Sequence, residues 1–378
     1  MRLSQLSTIT ICVLIPLFIA SCGAPTSRSS LSDSARDADA VAVCVQTFNA
    51  YGPAYSSKIP ERTAEWGRQM AAAPCSIVQS QEVWSQEHFN LARKHLGKSL
   101  PRLSSVRFDD FSNQPGSKSG LALFTDEILE ASSFEAFEVN EEGVFDSVRG
   151  MLGVIKGMGF SELTLRNRQA RVNLINAHTH PQSQVIRLAQ LAQLTEAFAR
   201  RLSPSAPLIL TGDLNFTPSS LEYLFLKNVL LVEDAYASIH GGYAGGDCTY
   251  CANNPHHWGG GDRVIDYILT RSAASTDVRS VKSVINLRGS HGITPSDHYG
   301  VQAGLAIKDR APAEVASDEF RTRATRAIIA IDQTLRILEN ESDRRGDLDS
   351  SIQYLREIRS SIGTNNRLEP IVSNLWIP

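Results

Sequence analysis

Apolar residues along the middle of this chain keep two different rhythms in turn. Val41, Val43 and Val45 follow a two-residue period, which predicts a half-buried strand over 41–48. Short apolar runs predict further strands at 121–124, 162–165, 171–177, 207–211, 264–269 and 299–307. Residues 58–73 and 84–96 read as helices. The clearest helix is 185–199, where Val185, Leu188, Leu191, Ala192, Thr195, Phe198 and Ala199 share one face. Interleaved strands and helices predict an α/β layered domain.

After Asp309 the strand rhythm stops, behind a hinge at Ala311-Pro312-Ala313. Phe320, Ala324, Ile328, Ile331, Leu335 and Leu338 step at helical spacing, as do Leu348, Ile352, Leu355, Ile358 and Ile362. Arg344-Arg345-Gly346-Asp347 would turn the chain between them, giving a helical hairpin within 313–378. Its apolar stripes suit packing on the preceding domain; a partner or membrane-surface role is the alternative.

Several predicted strands meet residues capable of chemistry. Asn49 follows 41–48, Gln81-Glu82 follow 76–80, and Gly212-Asp213-Leu214-Asn215 follow 207–211. Asn176-Ala177-His178-Thr179-His180, Arg263-Val264-Ile265-Asp266-Tyr267 and Ser296-Asp297-His298 complete the set. Carboxylate and amide oxygens suit a hard divalent cation such as Mg²⁺. A histidine beside them can move protons near neutral pH. One site assembled where several strands stop, cleaving a phosphoester with the help of a metal, is the reading these residues support.

The order Asn…Glu…His…Gly-Asp-x-Asn…Asp…Ser-Asp-His, running from Asn49 to His298, resembles the endonuclease/exonuclease/phosphatase superfamily of deoxyribonuclease I. Gln81-Glu82-Val83-Trp84-Ser85, Ser119-Gly120-Leu121, Lys156-Gly157 and Asp234-Ala235-Tyr236 are similar to segments of its neutral sphingomyelinase branch. The resemblance implies a four-layer α/β sandwich over 41–309, two packed mixed β-sheets flanked by helices, with the site at one rim. It implies Glu82 as the prime metal ligand, Asn49 as a neutral oxygen ligand and Asp297 as a second metal-side carboxylate. The ion would be Mg²⁺, with Mn²⁺ or another divalent cation as a substitute. His298 would be the general base and Asp266 the group that holds its other ring nitrogen. Asp213 and Asn215 would address the phosphate and its attacking water. His178 would contact the phosphoryl oxygens or protonate the leaving group, with Lys156 and His180 as further substrate contacts. Taken alone, some of these have plainer readings: 49–52 also reads as a turn, and Lys156 as a surface lysine.

The first residues carry an address. Arg2 precedes an apolar run over 9–20 that ends in Ile19-Ala20-Ser21-Cys22. This predicts a signal peptide over 1–21, cleavage before Cys22 and acylation of its thiol, with 22–40 as a flexible tether. Gly23 lacks the Asp that in bacterial lipoproteins often signals inner-membrane retention, so the outer membrane is the expected location in a cell with two. Cys12 would leave with the signal. Cys44 and Cys75 could be free buried thiols or one bridge; Cys248 and Cys251 could bind zinc with His256 and His257 or be oxidised to each other. Tyr243, Tyr250 and Trp258, in the Gly-rich stretch 241–261, could dip into a bilayer interface or cover the edge of the site.

Charge narrows the substrate. A formal net charge of −3 over 378 residues gives no general attraction to polyanions, which argues mildly against a duplex-binding nuclease. Three functions compete: a lipid phosphodiesterase of sphingomyelinase type releasing a phosphorylated head group, an exported nuclease or phosphomonoesterase on the same scaffold, and an inactive membrane-anchored binding module. The complete set of polar motifs speaks against the last.

Overall fold

The computed structural model describes residues 40–364 apart from 114, 115, 117, 141–152, 168, 291 and 312–316. The predicted signal peptide over 1–21, all but residue 40 of the predicted tether over 22–40, and Pro312-Ala313 of the predicted hinge lie outside the described residues.

The described strands are, in chain order, β1 (Val41–Asn49), β2 (Ile77–Gln81), β3 (Ser104–Arg107), β4 (Ala122–Thr125), β5 (Ile128–Ala136) and β6 (Gly157–Leu165). They continue as β7 (Ala170–His178), β8 (Leu208–Asp213), β9 (Glu233–Asp234), β10 (Asp266–Arg271), β11 (Thr276–Asn286) and β12 (Gly300–Asp309). One sheet has the order β11-β12-β1-β2-β4-β3 and the other β5-β6-β7-β8-β10-β9. Both are mixed: β1 and β2 pair in parallel, as do β7 and β8, while β12 and β10 run antiparallel to their neighbours β1 and β8.

The sheets stack through an apolar layer that includes Val43, Val45, Ile77, Leu123, Leu174, Ile209, Ile268 and Leu305. The valine alternation along β1 is the cause, since every second side chain must point into this layer. On the outer face of the first sheet lie α1 (Ile59–Ala72) and α2 (Gln86–Leu96), through Trp66, Met70, Phe89 and Leu96. Ser85 starts α2 by accepting the N–H of His88 at 3.0 Å, the usual satisfaction of an orphan donor at a helix start. The second sheet is covered by α3 (Gln184–Arg201) and α4 (Leu221–Phe225), which runs on as a π-helical turn, Leu226–Leu230. A short α5 (Ala235–His240) follows β9.

The hairpin is α6 (Ser317–Ser342) and α7 (Asp349–Thr364). Ile331, Leu338, Leu355 and Ile358 share one core with Ile186, Leu191 and Phe198 of α3. Its stripes are thus buried on the domain, as the packing reading expects. Disulfides join Cys44 to Cys75 and Cys248 to Cys251. The second bridge overturns the zinc alternative, because a sulfur bonded to sulfur is not a thiolate ligand.

Candidate active site

Strand register brings the polar residues to one rim. Asn49 ends β1 opposite Gln81 of β2, so Glu82 is the next residue out. His178 ends β7 opposite Asp213 at the end of β8, and Asp266 starts β10 opposite the same Asp213. Asp297 and His298 lie just before β12, the antiparallel neighbour of β1. Gly212 permits the close approach at β8: a Cβ there would sit 1.9 Å from the Ala177 carbonyl oxygen. Tyr51, Glu82 and Asn215 all adopt left-handed backbone, with φ of 45°, 59° and 53°. Such strain in non-glycine residues persists only where surrounding contacts over-determine it, and it gathers at functional sites.

Asp213 is the hub. Its Oδ2 accepts Nδ2 of Asn49 at 3.0 Å, and faces Nε2 of His178 at 3.4 Å and Nε2 of His298 at 3.8 Å. Its Oδ1 accepts the backbone N–H of Asn215 at 3.2 Å. Burial alone would raise its pKa, but the charges of His298, His178 and Lys156 outweigh that and hold it below the usual carboxylate range. His298 places Nδ1 2.8 Å from Oδ2 of Asp266. Burial works against a charge on this imidazole, yet Asp266, Asp213 and Asp297 hold its pKa well above the ordinary histidine value. Asp266 itself is pushed up by burial, against the pull of His298.

The other side of the rim is lysine and tryptophan. Nζ of Lys156 lies 2.6 Å from Nε2 of His178 and 6.0 Å from the centre of the Trp84 ring. Burial and the Lys156 charge both lower the pKa of His178. Asp297 takes the Ser296 hydroxyl at 3.1 Å; burial and the neighbouring Glu82 push its pKa up to about 7. The buried Asp297 carboxyl beside the half-buried Glu82 carboxylate forms an oxygen donor set suited to a hard cation. Asp213, Asp266 and His298 also bring one ligand atom each within 4.8 Å of the others, so the rim could hold a metal ion there as well.

Two residues are placed differently from their neighbours. Asn215 gives Nδ2 to the Thr179 carbonyl at 3.1 Å, tying the His178–His180 segment to β8. His180 is buried, and its Nδ1 accepts the backbone N–H of Ser183 at 2.9 Å at the start of α3. That ring nitrogen serves the loop rather than the rim.

The Endonuclease/Exonuclease/phosphatase family pattern matches residues 47–298, which contain every rim residue from Asn49 to His298. The chain belongs to the endonuclease/exonuclease/phosphatase family. Membership makes it a hydrolase of phosphoester substrates, and the two stacked sheets are this family's deoxyribonuclease I-like sandwich. The inositol phosphosphingolipids phospholipase C of Schizosaccharomyces pombe (strain 972 / ATCC 24843) is 27% identical over 206 residues, 52% of this chain and 46% of that protein. The chain thus spans about half the length of this curated relative. Among solved structures, D. rerio TDP2 complexed with single strand DNA product has a TM-score of 0.53 at 15% identity, covering 70% of this chain and 98% of that one. A beta toxin structure from Staphylococcus aureus with bound magnesium ions has a TM-score of 0.52 at 17% identity, covering 70% and 99%. At these identities the likeness is one of fold.

Within this family site, sequence reasoning missed the residues that hold the reactive ones. Thr249 Oγ1 accepts the N–H of Ile265 at 3.0 Å and of Asp266 at 3.2 Å, while its carbonyl accepts the N–H of Tyr299 at 2.6 Å. One residue therefore pins both halves of the Asp266–His298 pair. The neighbouring Tyr250 packs edge-on against His298, ring centres 5.2 Å apart. Arg62, buried, donates to the carbonyls of Tyr51 at 2.7 Å and Pro295 at 2.8 Å, joining the Asn49 turn to the Asp297 loop. Gln81 reaches across the sheets to Asn176 at 2.7 Å. The only sequence signal for Thr249 was its place between Cys248 and Cys251; Arg62 gave none. Of the three loop aromatics, Tyr243 and Tyr250 face inward, and Trp258 is exposed with Nε1 on the Tyr51 hydroxyl at 2.8 Å, at the site's edge.

Proposed function

We propose that this chain is a Mg²⁺-dependent phosphodiesterase of sphingomyelinase type, releasing the phosphorylated head group of a phospholipid. One observation carries the chemical part of the reading: Oδ2 of Asp213 is ringed by Asn49, His178 and His298 at 3.0, 3.4 and 3.8 Å. A carboxylate held by one amide donor and flanked by two imidazoles at a rim suits a step that moves a proton while negative charge builds nearby. The lipid part is supported by the name of the 27% identical relative, a phosphosphingolipid phospholipase C, and by the lack of net basic charge.

Glu82 and Asp297 would hold the ion, with Asn49 beside them. Asn49 Oδ1 already accepts the Tyr51 N–H at 3.0 Å and keeps a second lone pair. When bound, Mg²⁺, or Mn²⁺ in its place, would neutralise these carboxylates and the phosphoryl oxygens next to them. Because three aspartates hold the His298 pKa high, its deprotonated fraction, which grows as pH rises, takes at Nε2 the proton of an attacking water that is also hydrogen-bonded to Asp213. Asp266 holds Nδ1–H, so Nε2 is the nitrogen that faces the water, and it balances the imidazolium. His178 and Lys156 donate to the phosphoryl oxygens or to the leaving group. We further propose that acylated Cys22 holds the enzyme at a membrane, with the outer membrane favoured, which places it beside a lipid substrate.

Nucleic acid is the second reading, favoured by the likeness to a TDP2 structure holding single strand DNA product. Purified full-length protein in detergent, supplied with Mg²⁺, separates the two. Sphingomyelin, phosphatidylcholine, single-stranded DNA and a phosphomonoester are compared at equal phosphate. Release of a phosphorylated head group at the highest rate is expected; faster cleavage of DNA would replace the lipid reading with the nuclease one.

A further inference from the structure

The richest feature outside the active site is a cavity of about 980 Å³ where α6 meets the catalytic domain. It lies at the opposite end of the sandwich. Asp266 starts β10 at the catalytic rim and Arg271 ends it in the cavity wall, about 17 Å away at strand rise. Likewise His298 precedes β12 and Arg310 follows it.

Cations dominate its wall. Lys227, Arg271, Arg310, Arg323 and Arg326 face three carboxylates, Glu233, Asp234 and Asp277. Asp234 is already committed: it accepts the hydroxyls of Tyr223 and Tyr243 at 3.0 and 2.7 Å and the N–H groups of Tyr236 and Ala237. Asp277 takes the Ser272 hydroxyl at 3.0 Å and meets Arg310 at 3.8 Å. Arg323 pairs with Glu319. Among the described residues, Arg326 and Lys227 have no carboxylate at ion-pair distance, and the buried Nε of Arg310 has no hydrogen-bond acceptor. Arg271 is 7% exposed, stacked on Phe198 at 5.1 Å. Guanidinium groups that line one cavity from separate elements, Arg271 buried, Arg310 and Arg323 half-buried and Arg326 exposed, can recognise phosphate oxygens through forked hydrogen bonds.

We propose that this cavity is a binding site for a phosphate-class anion, which bridges Arg323 and Arg326 of the hairpin to Arg271 and Arg310 of the catalytic domain. The anion is a small soluble phosphate compound or the phosphomonoester head of a lipid; both present the same oxygens. Because α6 supplies Arg323 and Arg326 of the wall, a ligand held there stabilises the folded chain with α6 docked, by linkage.

Unfolding temperature of the full-length protein in detergent, in sodium phosphate against sodium chloride at equal ionic strength, reads the soluble source. Flotation with phosphatidylcholine vesicles, with and without phosphatidate and in a Cys22→Ser background so that no acyl chain binds the vesicles, reads the lipid source. A phosphate-specific rise of at least about 2 °C, or phosphatidate-dependent flotation, is expected for the native chain and for Asp213→Asn. Either effect should disappear in Arg326→Glu and in Arg310→Gln, and survive in Arg321→Glu, an exposed arginine of α6 outside the cavity wall. No effect in either assay overturns the proposal. So does an effect that survives Arg326→Glu and Arg310→Gln, one that Arg321→Glu removes equally, or one lost in Asp213→Asn.

Discussion

Nδ1 of His298 lies 2.8 Å from Oδ2 of Asp266, and both side chains are buried. This pairing leaves Nε2 as the nitrogen facing Asp213. His298→Ala removes the proton acceptor together with its stabilised cation, and turnover should fall on the order of 10²–10⁴-fold. Asp266→Asn keeps the shape but no longer offsets imidazolium charge, so it should also impair turnover strongly. The double variant should cost scarcely more than His298→Ala, since the orienter then has nothing to orient. Multiplicative losses in steady-state assays of the three variants would mean that the two residues act independently.

Thr249 acts one step further back. Thr249→Val removes the acceptor that holds the N–H groups of Ile265 and Asp266. Misplacing the Asp266–His298 pair should lower kcat about 10- to 100-fold, with little change in the Mg²⁺ concentration needed for half-maximal activity. Thr249→Ser should recover most of the loss. An unchanged kcat in Thr249→Val, or no rescue by serine, would remove Thr249 from the site.

Much of this arrangement was legible in the sequence because its carriers are strand ends. The alternation of Val41, Val43 and Val45 located β1, and Asn49 follows from where that alternation stops. Helix 185–199 was visible because its face is apolar, and the structure extends it by a turn's fraction at each end, to Gln184–Arg201. Four strands escaped. β3, β5 and β11 have partly exposed faces, with Ser, Glu, Lys and Arg along them, so no clean period marks them. β9 is only two residues long. The supporting contacts of Thr249, Arg62 and Gln81 were illegible for another reason: each joins residues far apart in the chain, which only the folded register brings together.

Stability should depend on pH through His88. This side chain is 2% exposed, and burial, with the nearby Arg62 charge, lowers its pKa from 6.5 to about 4. The folded state refuses a proton that the unfolded chain accepts below 6.5. The contribution is therefore full above pH 6.5 and is lost as pH falls towards 4, by about 3 kcal/mol in all. Urea midpoints at about pH 7 and about pH 5 should diverge more for the native chain than for His88→Asn. Identical pH dependence in the two proteins would contradict this role.

The proposed membrane anchor is an acyl group on Cys22. Cys22→Ser should move the protein from the membrane fraction to the soluble one and leave hydrolysis of detergent-dispersed substrate unchanged. Retention of the variant on membranes after a salt wash would show that something other than acylation holds it there.

Metal dependence is the claim on which the proposed chemistry turns. The most direct measurement is a Mg²⁺ titration of head-group release after exhaustive chelation, run on the native chain, Glu82→Gln and Asp297→Asn. Turnover should vanish in excess chelator and return with Mg²⁺ or Mn²⁺. Half-saturation should shift to higher Mg²⁺ in both variants, because each removes a charged oxygen from the cation's donor set. Full turnover of the native chain in excess chelator would contradict the mechanism outright.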